Sequence, residues 1–267
     1  MAGFPRPKKV MGQHFLTDRR FVNQIIGCAE ISSKDVIVEI GPGKGVLTKA
    51  LAERAHRVVA IEIDSELASR LETSLSKYSN VSIINGDGRR LAIESVIPEG
   101  QSYKFVANLP YYAATPIVQK FLKSQHKPDL MAFMIQREVG YEMAAKPGKM
   151  RLLSIAIQMH GKPKIICKVP PTAFKPVPKV TSVIMQIRPF NQIQPLMEFE
   201  EEFFRLVRAG FSAPRKQLKN SLSGGLGMSS VDVGALLEKS NIDVKRRAET
   251  VSISEWDKMF RIYRSMG

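Results

Sequence analysis

The chain has 267 residues, of which 44% are hydrophobic, enough for a large domain with a smaller appendage. Lysine and arginine total 40 against 25 acidic residues, and the formal net charge of +15 favours a polyanionic partner, nucleic acid before an acidic membrane surface. No apolar run approaches the roughly 20 residues that span a bilayer. The two cysteines form no disulfide framework and the four histidines lack metal-ligand spacing, so we expect a cytoplasmic protein without a structural metal.

The first part of the chain alternates short apolar runs with helical patterns, after a first helix capped by Thr17 or Asp18. The runs that are typical of strands are 36–40, 58–63, 81–84, 103–107 and 130–135. Two later runs, 165–169 and 180–187, have no clear helical pattern between them, and four prolines interrupt that segment, which predicts an antiparallel pair at the edge of the sheet. The pattern therefore predicts an α/β fold with a mostly parallel sheet covered on both faces.

The last part of the chain has only helical patterns. Residues 189–195 are typical of a linker, and beyond them Ser212 and Pro214 open one predicted helix. Ser252 and Glu255 form a capping box before another. The predicted domains are 1–195, an α/β catalytic domain, and 196–267, a small all-helical domain.

A glycine-rich turn, Glu39-Ile-Gly-Pro-Gly-Lys-Gly45, lies between a predicted strand and helix. Glycines there let the backbone approach a ligand, and Glu62, which lies 21 positions after Gly41, can accept both hydroxyls of a ribose. Nicotinamide dehydrogenases and S-adenosylmethionine methyltransferases share this pair of features. The Gly-x-Gly-x-Gly spacing favours the methyltransferases. The acidic residues that end two predicted strands, Glu39 and Asp87, favour them too, because S-adenosylmethionine carries a sulfonium and an ammonium group that attract carboxylates. Asp87 is suited to accept a hydrogen bond from the amine of the cofactor's adenine; alternatively it is a turn residue.

The tetrad Asn108-Leu-Pro-Tyr111 follows the fourth predicted strand, at the edge where ligands of open α/β sheets bind. The amine of adenine is a poor nucleophile because its lone pair is delocalised into the ring. The side-chain oxygen of Asn108 and a backbone carbonyl near Pro110 can grip its hydrogens, and Tyr111 offers a stacking face. Taken alone, the tetrad also fits an ordinary proline turn with packed tyrosines.

With these motifs the chain resembles the small-subunit ribosomal RNA adenine dimethyltransferases of the KsgA type, which share a broader family with the erythromycin-resistance methylases. The resemblance runs nearly end to end. Its motifs lie at 12–16, 38–43, 61–64, 86–87, 108–111, 169–180, 215–216, 220–222 and 247–249. It implies a Rossmann-like methyltransferase fold that binds S-adenosylmethionine.

The resemblance also implies roles for particular residues. Those implied to contact S-adenosylmethionine are His14, Leu16, Gly41, Glu62, Asp87 and Asn108. Asn108 and the Pro110 region would hold the target amine, and Tyr111 and Phe174 would sandwich the flipped adenine. Tyr112 stands where many members have Asn, which puts the catalytic rate in question.

The implied reaction is dimethylation of the N6 amines of two adjacent adenines near the 3′ end of small-subunit (16S) ribosomal RNA, within an assembling particle, by a monomer. Three alternatives remain open at this point: a resistance-type methylase acting on large-subunit RNA, a nicotinamide oxidoreductase and a non-catalytic assembly factor. We expect two basic groups to contact the RNA backbone. They are Arg205, Arg208, Arg215, Lys216 and Lys219, and Arg6, Lys8, Lys9, Lys175 and Lys179.

Overall fold

The computed structural model describes residues 14–190 and 198–266, which divide into two compact units. The sheet unit comprises 14–140 and 161–190, and the helical unit comprises 141–160 and 198–266. The units differ from the predicted domains 1–195 and 196–267 in the placement of 141–160. That segment joins the helical unit because its apolar side chains, Met150 and Ile155 among them, share one hydrophobic core with Phe203. Most of the predicted linker and the N-terminal basic residues lie outside the described ranges.

A seven-stranded sheet is the centre of the sheet unit. Its strands are β2 (Val36–Ile40), β3 (Arg57–Glu62), β4 (Val81–Asn85), β5 (Lys104–Asn108), β6 (Leu130–Gln136), β7 (Gly161–Val169) and β9 (Ser182–Pro189), in the order β4-β3-β2-β5-β6-β9-β7. The first five in that order are parallel, whereas β9 is antiparallel to both β6 and β7. The predicted mostly parallel sheet with an antiparallel edge is confirmed.

Helices cover this sheet because its central strands are apolar on both faces. All five residues of β2 are buried. The helices between the strands are α1 (Arg19–Cys28), α2 (Val46–Ala52), α3 (Ser65–Leu75) and α4 (Ala114–Lys123). Asp18 caps α1 by accepting the Arg20 N–H, as predicted, and Asp64 caps α3. Because β2, β3, β4 and β5 are parallel, their carboxyl ends lie along the same edge of the sheet.

A second, two-stranded sheet was not predicted. It pairs β1 (Phe15–Leu16) with β8 (Phe174–Lys175), which places Leu16 opposite Phe174. The backbone N–H and the hydroxyl of Thr17 both donate to the Ala173 carbonyl beside it. The N-terminal motif is thereby fixed to the proline-rich loop.

The helical unit has its own core around Trp256. Its helices are α6 (Leu152–Gln158), α7 (Glu200–Phe211), α8 (Leu218–Leu226), α9 (Ser230–Lys239) and α10 (Ile253–Ser265), and α5 (Arg137–Met143) precedes them. The capping box of Ser252 and Glu255 is confirmed at the start of α10. Helix α8 begins at Leu218, later than the predicted start at Ser212. None of the described helices combines the length and the apolar character that crossing a membrane requires.

Candidate active site

The glycine-rich turn connects β2 to α2 with left-handed backbone conformations. Gly41 and Gly43 have φ values of +72° and +58°, a region that favours glycine. An added Cβ at Gly43 would lie 2.9 Å from the Phe15 ring, so the turn also needs the missing side chain for space. The aromatic ring of β1 thus packs directly on this turn.

Glu62, the last residue of β3, is fixed by two backbone amides. Gly43 N–H donates to its Oε2 and Asp64 N–H donates to its Oε1, both at 3.0 Å. Burial raises the pKa of this carboxyl, while the two amide bonds work in the opposite direction. The turn and the acid, identified separately in the sequence, form one hydrogen-bonded unit.

Glu39, in the middle of this region on β2, is a buried carboxyl. Its exposed fraction is 1%, and its Oε2 has no hydrogen-bond partner within the described part of the chain. Burial raises its pKa to about 8; the hydroxyl of Thr48 lowers it and the charge of Glu62 raises it further. Burial therefore favours the neutral form of this carboxyl, and a cation held beside it would favour the charged form.

Asn108 ends β5, so the tetrad starts where the strand stops. Leu109 N–H donates to the Met134 carbonyl at 3.2 Å, and Ala113 N–H donates to the Pro110 carbonyl at 3.0 Å. The side-chain amide of Asn108 donates to the His14 carbonyl at 3.5 Å, so its oxygen is available as a hydrogen-bond acceptor. Backbone hydrogen bonds therefore anchor the tetrad at Leu109 and at Pro110.

His14 connects the tetrad with the proline-rich loop. Its ring stacks on Tyr111 with the centroids 5.9 Å apart, and its Nδ1 lies 2.8 Å from the Pro176 carbonyl oxygen. The Tyr111 hydroxyl is 2.7 Å from the Ser182 hydroxyl. Phe174 is only 1% exposed and packs in the main core of the sheet unit with Leu16. Both aromatics that the resemblance assigns to the flipped base are thus held by neighbours.

These side chains line one cleft. The predicted site residues on its lining are His14, Leu16, Gly41, Glu62, Asn108, Pro110, Tyr111 and Phe174. Asp87 is not on that lining. It follows β4 at the same edge of the sheet, and its carboxylate is bound by the Arg89 guanidinium, with Nη2 donating to Oδ2 at 2.7 Å. Arg89 also holds the pKa of Asp87 below its usual range.

The cleft also contains residues that the sequence did not single out for the site. Phe15 and Ile63 line it as apolar walls, and Lys44 lies over the Phe15 ring at 4.8 Å. Tyr112, which the sequence marked only as a departure from the family pattern, lies at the opening with half of its surface exposed. Ile63 directly follows Glu62 in its motif, so the position of that wall was readable from the sequence, whereas the role of Phe15 depends on the unpredicted pairing of β1.

Comparison with known proteins shows the family to which the chain belongs. The model of the family described as ribosomal RNA adenine dimethylase matches residues 6–263. The chain is 39% identical to the ribosomal RNA small subunit methyltransferase A of Dehalococcoides mccartyi, over 97% of this chain and 89% of the relative. It is 42% identical to that of Alkaliphilus metalliredigens, over 94% and 90%. Among solved structures it resembles the 23S rRNA methyltransferase ErmE, with a TM-score of 0.74 and 27% identity over 93% of this chain and 98% of that one.

Proposed function

Because the chain belongs to the ribosomal RNA adenine dimethylase family, we propose that it dimethylates the N6 amines of two adjacent adenines near the 3′ end of small-subunit (16S) ribosomal RNA. The methyl donor is S-adenosylmethionine. The observation that carries the proposal is the single cleft that joins Glu62 and the glycine-rich turn to Asn108 and Pro110. The identity to small-subunit methyltransferases, 39% and 42%, exceeds the 27% to a large-subunit enzyme and supports the small-subunit substrate.

The residues of the cleft fit this cofactor. The carboxylate of Glu62 would accept the two hydroxyls of the ribose, since its amide bonds already fix its position. The buried oxygen of Glu39 that has no partner in the described chain would face a positive group of the cofactor. Gly41 and Gly43 line the cleft and would present backbone to the ligand. His14 and Leu16 would close the cleft from the side of β1. Asp87 would accept a hydrogen bond from the amine of the cofactor's adenine while it stays paired with Arg89, since Arg89 supplies three donors to a carboxylate with about four lone-pair sites.

Catalysis by this chain is mainly placement. S-adenosylmethionine supplies an activated methyl group on its sulfonium. The oxygen of Asn108 and a carbonyl of the Leu109–Pro110 segment would accept the two hydrogens of the target amine, which returns lone-pair density to the nitrogen. Tyr111 and Phe174 would hold the base on its two faces after their rings are uncovered, since Phe174 is 1% exposed and His14 stacks on Tyr111. Anchoring of the tetrad by Met134 and Ala113 preserves this geometry between the two transfers.

The partner is a small ribosomal particle in assembly, encountered in the cytoplasm, and the protein acts on it as a monomer. The helical domain, 196–267, contributes basic side chains to RNA binding. Arg205, Arg208, Arg215 and Lys216 are exposed there, and Lys219 is partly exposed. Contacts of this kind position the protein on the phosphate backbone without reading its sequence.

The test is methyl transfer from labelled S-adenosylmethionine to small and to large ribosomal subunits that lack the modification. We expect label only in small subunits, with primer extension stopping at two adjacent adenines near the 3′ end. Label in large subunits would replace the proposal with a resistance-type activity. Absence of label in both, with measurable cofactor binding, would reject catalysis on ribosomal RNA.

A further inference from the structure

Tyr112 is the one exposed aromatic side chain among the described residues that line the cleft. It is 52% exposed, whereas Phe15 and Phe174 are buried. Tyr111 is only partly exposed: its ring stacks on His14 and its hydroxyl is bonded to Ser182. A single exposed aromatic residue is common on protein surfaces. This one, however, directly follows the tetrad at the opening of the cleft, where an arriving nucleotide strand meets the protein.

A planar cation lies against the same ring. The guanidinium carbon of Arg89 is 6.0 Å from the centroid of the Tyr112 ring. The Asp87 carboxylate fixes that guanidinium, since Arg89 Nε is 3.0 Å from both oxygens. An exposed ring with an oriented arginine beside it is the combination that proteins use for unpaired bases, because every base has a π-face and the cation strengthens the stack.

We propose that Tyr112, together with Arg89, forms a stacking site for the unpaired base next to the adenine being methylated. The inference rests on the proposed function, in which two adjacent adenines are modified in turn. While one base lies beside Asn108, the chain of the RNA keeps its neighbour close to the opening of the cleft, where Tyr112 is exposed. Single-stranded RNA is bound mainly through such splayed bases on aromatic and guanidinium planes.

The experiment compares Tyr112→Phe, which keeps the ring, with Tyr112→Leu, which keeps apolar bulk without it. The readouts are KM and kcat for unmethylated small subunits, and the Kd for S-adenosylmethionine measured by calorimetry. Stacking on a base is worth roughly 1–3 kcal/mol, so we expect Tyr112→Leu to raise KM between about fivefold and about a hundredfold, with a smaller effect on kcat. Tyr112→Phe should stay within about twofold of the wild type.

Tyr141→Leu is the matched control, since Tyr141 is also an exposed tyrosine, 47% exposed, but does not line the cleft. It should leave KM unchanged. Equal KM values for the wild type and Tyr112→Leu would overturn the proposal. A loss confined to the cofactor Kd would also overturn it, because Tyr112 would then contact the cofactor instead of RNA.

A binding measurement distinguishes an error in the proposed function from an error in the proposed stacking site. If wild-type protein transfers no methyl group, equilibrium binding to the same small subunits, measured by co-sedimentation, becomes the readout. Weaker binding by Tyr112→Leu but not by Tyr112→Phe would then retain the stacking site without the reaction. Equal binding by all three proteins would reject it.

Discussion

Glu62 Oε2 and the backbone N–H of Gly43 are joined by a 3.0 Å hydrogen bond that connects the end of β3 to the turn after β2. The other oxygen accepts from Asp64 N–H at the same distance. The carboxyl is only 4% exposed, so it depends on these two donors in place of water. A change in either Glu62 or the turn should consequently weaken binding of S-adenosylmethionine, because each holds the other in position.

Glu62→Gln tests this dependence. The amide has one acceptor atom in place of two, and its NH2 group would face a backbone N–H. Bonds to charged groups contribute roughly 1.5–3 kcal/mol, so we expect the Kd for S-adenosylmethionine to rise by about tenfold to a hundredfold. Calorimetry measures it, and Glu62→Asp, which keeps the charge but not the reach, should also bind more weakly. A Glu62→Gln protein with wild-type Kd would disprove a role for this acid in binding.

Gly43→Ala, compared with a second glycine variant, separates the cost of a steric clash from the cost of a left-handed backbone. The new Cβ would lie 2.9 Å and 3.0 Å from two atoms of the Phe15 ring, and φ is +58°. Gly100→Ala is the control, since φ there is +78° with nothing within 4 Å of the added atom. Left-handed backbone costs an alanine roughly 1–2 kcal/mol, so Gly100→Ala should lose about that much free energy of unfolding. Gly43→Ala should lose more and should also bind the cofactor weakly; equal losses in denaturant unfolding would contradict the packing of Phe15 on the turn.

The free energy of unfolding should depend on pH through Glu39. Burial raises its pKa in the folded chain from an ordinary 4.5 to about 8. Between those values the folded chain holds a proton that the unfolded chain has lost, so stability falls as the pH rises across this window. Glu39→Gln stays neutral, and its stability relative to wild type should therefore increase from pH 5 to pH 8. Denaturant unfolding at several pH values measures the difference, and parallel curves would show that Glu39 ionises normally.

Charge reversal at Arg215 and Lys216 should weaken binding to small subunits. Both side chains are exposed in the turn before α8. If each contacts a phosphate, the double change to Glu removes two contacts, and the slope of log K against log salt should become shallower by about 1.4–1.8. Lys239→Glu combined with Lys258→Glu is the control with the same change in charge. The same slope in both double variants would mean that only net charge matters.

Local patterns predicted much of this fold. The strand Val36–Ile40 has the predicted bounds because a buried, largely β-branched run ends at Gly41, whose left-handed backbone departs from the extended conformation. The start of α4 is harder to locate from local patterns: Thr115 followed by Pro116 is typical of a cap and a first helical residue, but the helix begins at Ala114, after Ala113, whose side chain makes no capping bond. Propensity alone cannot detect such an uncapped start, because the preceding turn through Pro110 sets the direction of the chain.

The candidate site was predictable where motifs follow strands and not where distant segments meet. Glu62 and Asn108 lie at strand ends, so the sheet brings them together. The pairing of Leu16 with Phe174 involves two strands of two residues each, far apart in the sequence and without a periodic pattern. The hydrogen bonds between Arg89 and Asp87 could not be predicted from the motif either, since they depend on a side-chain conformation.

Methyl transfer by Asn108→Ala tests the central claim most directly, since that claim is that the oxygen of Asn108 prepares the target amine. Labelled S-adenosylmethionine and unmethylated small subunits are mixed with wild-type or variant protein, and the nucleosides are separated. The account predicts labelled N6,N6-dimethyladenosine with the wild type, and a rate at least about a hundredfold lower with Asn108→Ala, the scale on which one positioned hydrogen-bonding group contributes to catalysis. Dimethyladenosine formed by Asn108→Ala at the wild-type rate would contradict it.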